Sequence, residues 1–407
     1  MVKEVFVKED MMSKKVLLAC VIIIVNTFVW YSCQFTVLKE IMKGISLTHF
    51  EELLIWIINF FGAALSLLVG ASITNKLEKR KFLFLWLVLG SFSSLLPNLL
   101  SKYAVMNIAI IFLLSGISFG LGLPTCMAWY AECTTTENRA RHGGGILFLI
   151  GLGTLLLSLL KLDITASTLI LAAWRGSGLL SLLLIGVSEW SVGKAKTISY
   201  ISILNQRSFF LYFIPWIMFC LVNYLSAPIV INYFGEEFVQ TSTLIEGSLV
   251  GIFAIAGGIF ADKVGRKLLT IIGFILLGLG YAILGIRPES LLSWYFYTIV
   301  DGIAGGIIMT IFIFTLWGDI AYNYRSEKYY AIGGSPFLLS NLLRFIIGQY
   351  IVQTVLVYAI FSLASFFLFL AVVPLVFAPE TLPEKKIKER ELKKYIEKAK
   401  KVKEKYG

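Results

Sequence analysis

Long apolar blocks alternate with short polar stretches along this chain, each block close to the ~20 residues that an α-helix needs to cross a bilayer. They lie near 16–38, 52–74, 81–101, 103–131, 143–163 and 167–189, and again near 208–233, 239–261, 268–286, 291–318, 332–352 and 355–378. The polar stretch Ser191–Arg207 separates the two sets of six, and Lys161, Asp163 and Arg175 interrupt the fifth and sixth blocks. The pattern predicts an all-α integral membrane protein with twelve transmembrane helices. Its expected divisions are a cytoplasmic N-terminus over 1–15, a six-helix half over 16–190, a cytoplasmic linker over 191–207, a second half over 208–379 and a basic cytoplasmic tail over 380–407.

The two sets are related. An offset of 187 places Gly70 on Gly257, Asn75 on Asp262, Lys76 on Lys263, Lys79 on Arg266, Arg80 on Lys267 and Glu132 on Asp319. Gly116/Gly120 fall within one residue of Gly302/Gly306. A parallel repeat of this kind predicts two pseudo-symmetric six-helix halves around a central cavity, an architecture that transporters use.

Composition agrees. Of 407 residues 58% are hydrophobic and 15% charged, which leaves no room for a sizeable aqueous domain. The net charge of +11 is explained by its placement and points to no nucleic acid. Twenty-nine of the 36 cations fall in the terminal segments and the loops on one face, and five on the other. Cation-rich loops face the cytoplasm, so both termini are expected there, in a multi-pass protein of the plasma membrane. The charged first fifteen residues and the long block after them predict no cleaved leader. Five scattered cysteines without a CxxC, and only His49 and His142, offer no metal site, and nothing calls for a cofactor.

The junction Gly258-x3-Asp262-Lys263-x-Gly265-Arg266-Lys267 resembles the loop motif of the major facilitator superfamily. Its blurred copy holds Asn75, Lys76 and Arg80, with Asn75 in place of the acid. Glu132, seven residues before Arg139, is similar to that family's glutamate–arginine loop, and Pro379-Glu380-Thr381 and Trp174-Arg175 resemble its sugar-porter branch. The resemblance implies alternating access around a cavity lined by the first, fourth, seventh and tenth spans. It also implies gating roles on the cytoplasmic side for Gly258, Asp262, Lys263, Gly265, Arg266, Lys267, Asn75, Lys76, Arg80, Glu132, Arg139, Asp319 and Glu380. Asp262 is placed to pair with Arg266 and to face a helix N-terminus, whose dipole favours an anion; by analogy that helix is the eleventh span.

Glu246, Asp301 and Arg344 lie at membrane depth, where an ionisable group is costly unless it is paired or wetted. They are the candidates for proton coupling and substrate binding. Asn26, Trp30, Tyr31, Gln34, Asn59, Asn223, Tyr224 and Gln349 are cavity-lining candidates. The function expected is secondary transport of a small polar metabolite, a sugar or an organic anion, by proton-coupled symport, in a monomer whose partners are substrate, proton and lipid. Efflux of amphiphilic compounds is the alternative, favoured by an aromatic cavity. A non-transporting sensor or a membrane enzyme is the alternative of another class, although no catalytic cluster is present.

Overall fold

The computed structural model describes residues 2–74, 78–100, 104–183, 196–322 and 324–382, excluding the side chains of 2–13, 227–228, 231–232 and 344–354. The first half is built from α1 (Val2–Lys43), α2 (His49–Ile73), α3 (Lys79–Leu99), α4 (Val105–Gly120), α5 (Leu123–Cys133), α6 (Arg139–Ser158) and α7 (Ile164–Leu183). A short α8 (Tyr200–Leu204) lies in the linker. The second half contains α9 (Arg207–Val222), α10 (Ser226–Val264), α11 (Arg266–Ile286), α12 (Leu291–Met309), α13 (Leu316–Ile320), α14 (Glu327–Thr354) and α15 (Val357–Phe377). A π-helical segment, Thr310–Thr315, joins α12 to α13.

These elements make twelve spans in two halves of six. The fourth span is α4 plus α5, and the tenth is α12, the π segment and α13. The seventh is α9 continued into the start of α10. It ends at Gly235, whose φ of +76° turns the chain back as the eighth span within the same helix. Only glycine adopts that backbone without strain. α1 begins at Val2, so the segment expected as a separate N-terminus is continuous with the first span.

Local chemistry sets several ends. Thr48 and Glu51 form a reciprocal capping box on α2, satisfying two backbone donors that the first turn leaves free. Outward-facing Leu85, Leu180, Leu183, Leu292 and Phe366 are more than half exposed. Such a belt suits lipid, since water would penalise it at about 25 cal/mol per Å² of apolar surface.

Between helices the driving force is close packing rather than expulsion of water. Gly120 lies so near α2 that a Cβ there would sit 2.1 Å from the Ala63 carbonyl. Gly306, its counterpart in the repeat, meets the Val250 carbonyl of α10 at 2.6 Å in the same sense. The halves meet along two seams, α6 against α10 and α2 against α14.

Candidate functional site

A cavity of about 320 Å³ lies between the halves. Eleven of the 21 described residues that line it are aromatic, and none of these 21 is charged. On one wall Tyr31 stacks on Phe119, with ring centroids 3.8 Å apart and planes inclined by 13°. On the other Trp216 stacks on Phe312 at 4.8 Å and 8°, with Phe337 alongside at 5.9 Å. Polar groups behind the walls hold the rings in place. The Tyr31 hydroxyl donates to Asn59 Oδ1 at 3.4 Å, and Asn59 Nδ2 donates to the Phe112 carbonyl at 2.7 Å. Trp216 Nε1 donates to the Gly333 carbonyl at 2.7 Å.

Both discontinuous spans open onto this cavity. The fourth breaks at Leu121–Gly122, and Leu123, Pro124 and Met127 beyond the break line it. The tenth loosens into the π segment, where Thr315 Oγ1 donates to the Thr310 carbonyl at 2.9 Å, and Phe312 and Ile313 line it. Single π turns inside α-helices concentrate at functional sites because the wider turn re-aims side chains.

On the cation-rich face a charge network joins the two halves. Asp319 accepts from Arg139 of the first half, and from Arg266 Nε at 3.0 Å. Arg266 also pairs with Asp262 at 2.9 Å. Asp262 in turn accepts the backbone N–H groups of Ala140 and Arg141 at 3.1 and 2.9 Å. The helix that Asp262 caps is therefore α6, the fifth span, and not the eleventh. The correction follows from packing: α10 runs against α6, so the end of α10 meets the α6 N-terminus. Gly258 permits the approach, since a Cβ there would lie 2.4 Å from the Ala140 carbonyl.

A second cluster answers it across the other seam. Lys79 binds Glu132 at 2.7 Å and Glu327 of α14 at 3.7 Å, and Arg325 reaches Glu327 at 3.3 Å. Glu380 caps α11, accepting from the backbone N–H of Arg266 and Lys267 at 2.9 and 3.1 Å. Gly265, which immediately precedes them, has φ of +117°. The Lys267 ammonium donates to the Val376 carbonyl at 2.6 Å, while Arg80 reaches the Leu182 carbonyl at 3.4 Å and Lys263 stays at the exposed end of α10. Linker residue Tyr200 donates to the Leu68 carbonyl of α2, and the Lys328 ammonium of α14 lies 4.9 Å from its ring.

Of the polar candidates, Tyr31 and Tyr224 line the cavity. Asn26 and Trp30 stand behind the wall. Asn26 Oδ1 accepts from Arg175 at 3.2 Å, and Trp30 Nε1 donates to Ser94 at 2.7 Å. Arg175 is fully buried, its guanidinium 4.3 Å from the Trp86 ring and 5.1 Å from Trp30. Gln34 is buried with neither amide atom paired among the described residues, and Asn223 lies at the end of α9. Arg344 and Gln349 are on α14, where side chains are outside the description, and Asn75 and Lys76 are outside the described residues. Glu246 of α10 and Asp301 of α12 belong to one close helix contact, where a Cβ on Gly302 would lie 3.1 Å from the Glu246 carbonyl, and neither is among the described residues that line the cavity.

The Major Facilitator Superfamily family model matches residues 197–405. The chain belongs to that superfamily. It is a multi-pass membrane transporter rather than an enzyme. Three solved structures share this superfamily architecture. The proton:xylose symporter XylE bound to 6-bromo-6-deoxy-D-glucose is 17% identical over 91% of this chain and 97% of its own, with a TM-score of 0.68. A double-tryptophan XylE variant gives 16%, 91%, 97% and 0.69. The human organic anion transporter MFSD10 gives 14%, 89%, 98% and 0.65. At these identities the likeness is one of fold. Comparison with curated protein sequences finds no match.

Proposed function

We propose that this superfamily member is a secondary transporter for a planar, weakly polar small molecule, carried by alternating access and coupled to protons through Glu246 and Asp301. The cavity is the observation that carries this reading. Facing aromatic walls favour a flat ring, which gains dispersion and quadrupole contacts on both sides. Among the described lining residues an organic anion meets no cation, and a sugar meets few hydrogen-bond partners beyond the two tyrosines, Ser32, Tyr330 and Asn341. The geometry thus favours the amphiphile over the polar metabolite expected from the sequence.

The carboxyl pair supports the coupling. Two neighbouring carboxyl groups resist ionising together, so the pair can load and release a proton as its surroundings change. The cation bias supports cytoplasmic termini in a plasma-membrane protein.

The test is a thermal-shift series on purified protein with 9-anthracenemethanol, a panel of aldoses and a panel of dicarboxylates. Stabilisation by the anthracene alcohol alone is expected. Stabilisation confined to aldoses or to dicarboxylates would overturn the substrate class.

A further inference from the structure

A cleft of about 670 Å³ opens on the flank of the first half, between the start of α3 and the end of α7. The two helices pack side by side, and α7 ends where α3 begins, since Arg80 donates to the Leu182 carbonyl at 3.4 Å. Arg80 and Lys81, the second and third residues of α3, stand at the rim. Phe84 and Leu85 lie one turn further along the cleft. By the rise of an α-helix that is about 6 Å deeper into the membrane. Leu180 and Leu183 of α7 form the facing wall, and with Leu85 they are more than half exposed. The cleft is therefore cationic at the water-facing edge and apolar below it.

We propose that this cleft binds an anionic phospholipid of the leaflet on the cation-rich face, with the phosphate at Arg80 and Lys81 and an acyl chain laid between Phe84 and Leu183. The site is separate from the central cavity, because none of the described residues lining one lines the other. It stands whatever the substrate and the coupling prove to be.

The order of the two chemistries along α3 carries the assignment. A phospholipid has the same order, with its phosphate at the interface and its chains beneath. A soluble anion would use the rim and leave the apolar wall empty, and an uncharged lipid would fill the wall and give the rim no counter-charge. Basic pockets between transmembrane helices on the cation-rich side select anionic headgroups in this way.

The rim has cations to spare. Arg80 gives the Leu182 carbonyl one of five guanidinium N–H donors, and the planar fork that remains matches phosphate oxygens in pairs. Lys81 pairs with Glu78 at 2.9 Å, the acid that lines the cleft among the described residues. Both of those side chains are more than half exposed, and a pair so exposed contributes little, so Lys81 is free to turn to a phosphate. Against two cations there is one acid, which leaves the rim net positive. Lys79, their neighbour, is buried and held by Glu132 and Glu327, so it takes no part.

The experiment is native mass spectrometry of full-length, delipidated protein titrated with dioleoyl phosphatidylglycerol or with dioleoyl phosphatidylcholine. The first phosphatidylglycerol is expected to bind about tenfold more tightly than phosphatidylcholine, as one or two surface cations allow. In Arg80→Gln/Lys81→Gln that preference should fall to within about twofold. Should the double variant fail to fold, Lys81→Gln alone, at an exposed position, reads part of the same loss. Leu180→Trp, which crowds the apolar wall and keeps both cations, should weaken the first phosphatidylglycerol. Lys196→Gln/Arg207→Gln removes the same charge elsewhere on that face and should leave the preference intact. An unchanged preference without Arg80 and Lys81, or an equal loss in the Lys196/Arg207 variant, would overturn the site in favour of diffuse attraction. Native phosphatidylglycerol binding in Leu180→Trp, or its displacement by equimolar sn-glycerol 3-phosphate, would show that the anion binds without its chain and would overturn the lipid.

Discussion

Arg139 and Asp319 join the two halves through a salt bridge between side chains that are almost wholly buried. They belong to the fifth and tenth spans, 180 residues apart in sequence, on the cation-rich face. Asp319 also holds Arg266, so a single carboxylate ties a cation of each half.

Opening on this face must break that bridge. Removing one partner of a buried pair costs about 3–5 kcal/mol because the other is left uncompensated. Arg139→Gln is therefore expected to shift the population toward an opening at the cation-rich face. In a cysteine-free background carrying Met127→Cys, alkylation by a membrane-impermeant reagent from that face should accelerate. An unchanged rate would mean that the bridge does not hold the closed state.

The aromatic walls can be tested by size against polarity. Trp216→Ala should weaken binding of 9-anthracenemethanol by about 10–100-fold, the usual effect of losing a buried aromatic anchor. Tyr31→Phe should change it by less than about threefold, because the hydroxyl is turned to Asn59 rather than to the cavity. Equal losses in both variants would contradict the assignment of the stacked faces to the ligand.

At Gly265 a side chain meets two obstacles. The backbone φ of +117° is unfavourable to any L-residue, and a Cβ would come within 2.4 Å of a Glu380 carboxylate oxygen. Gly265→Ala should lower the melting temperature and loosen the cap on α11, at a cost of roughly 1–2 kcal/mol from the backbone alone. Gly145→Ala is the control, since a Cβ there meets nothing within 4 Å. A Gly265→Ala protein as stable as the control would show the cap to be dispensable.

Arg175 stacks on Trp86 and Trp30 and donates to Thr27 and Asn26. A lysine keeps the charge but loses the planar fork and the stacking, whereas methionine removes a buried charge altogether. Arg175→Lys should therefore melt below Arg175→Met. The opposite order would mean that charge rather than planarity holds the site.

The spans were legible in sequence because a bilayer demands long apolar runs, and the repeat was legible because its turns need glycine and its loops need cations. The cavity was much less so. Asn26, Trp30 and Asn59 stand out as polar marks in apolar helices, yet their hydrogen bonds lock helices together behind the wall. The lining is carried by aromatic residues, which look the same in sequence whether they pack or bind. One signal was present: Phe28, Tyr31 and Phe35 recur at i, i+3 and i+7 and so share a face of α1, and all three line the cavity. The partner of Asp262 depended on which helices cross between the halves, a relationship without a local signature in the chain.

At two points the seam between α6 and α10 brings main chain against main chain. A Cβ on Gly144 would lie 2.1 Å from the Ala254 carbonyl, as one on Gly258 would crowd Ala140, while Gly151 and Gly247 farther along have nothing within 4 Å. Contacts of this kind freeze no long side chain where they form, so little rotamer entropy, which reaches ~2 kcal/mol for a lysine or arginine, is lost at those points. Each return to the shut state can thus find the same register quickly, and the pace of the cycle is left to the charged groups that must part and pair again.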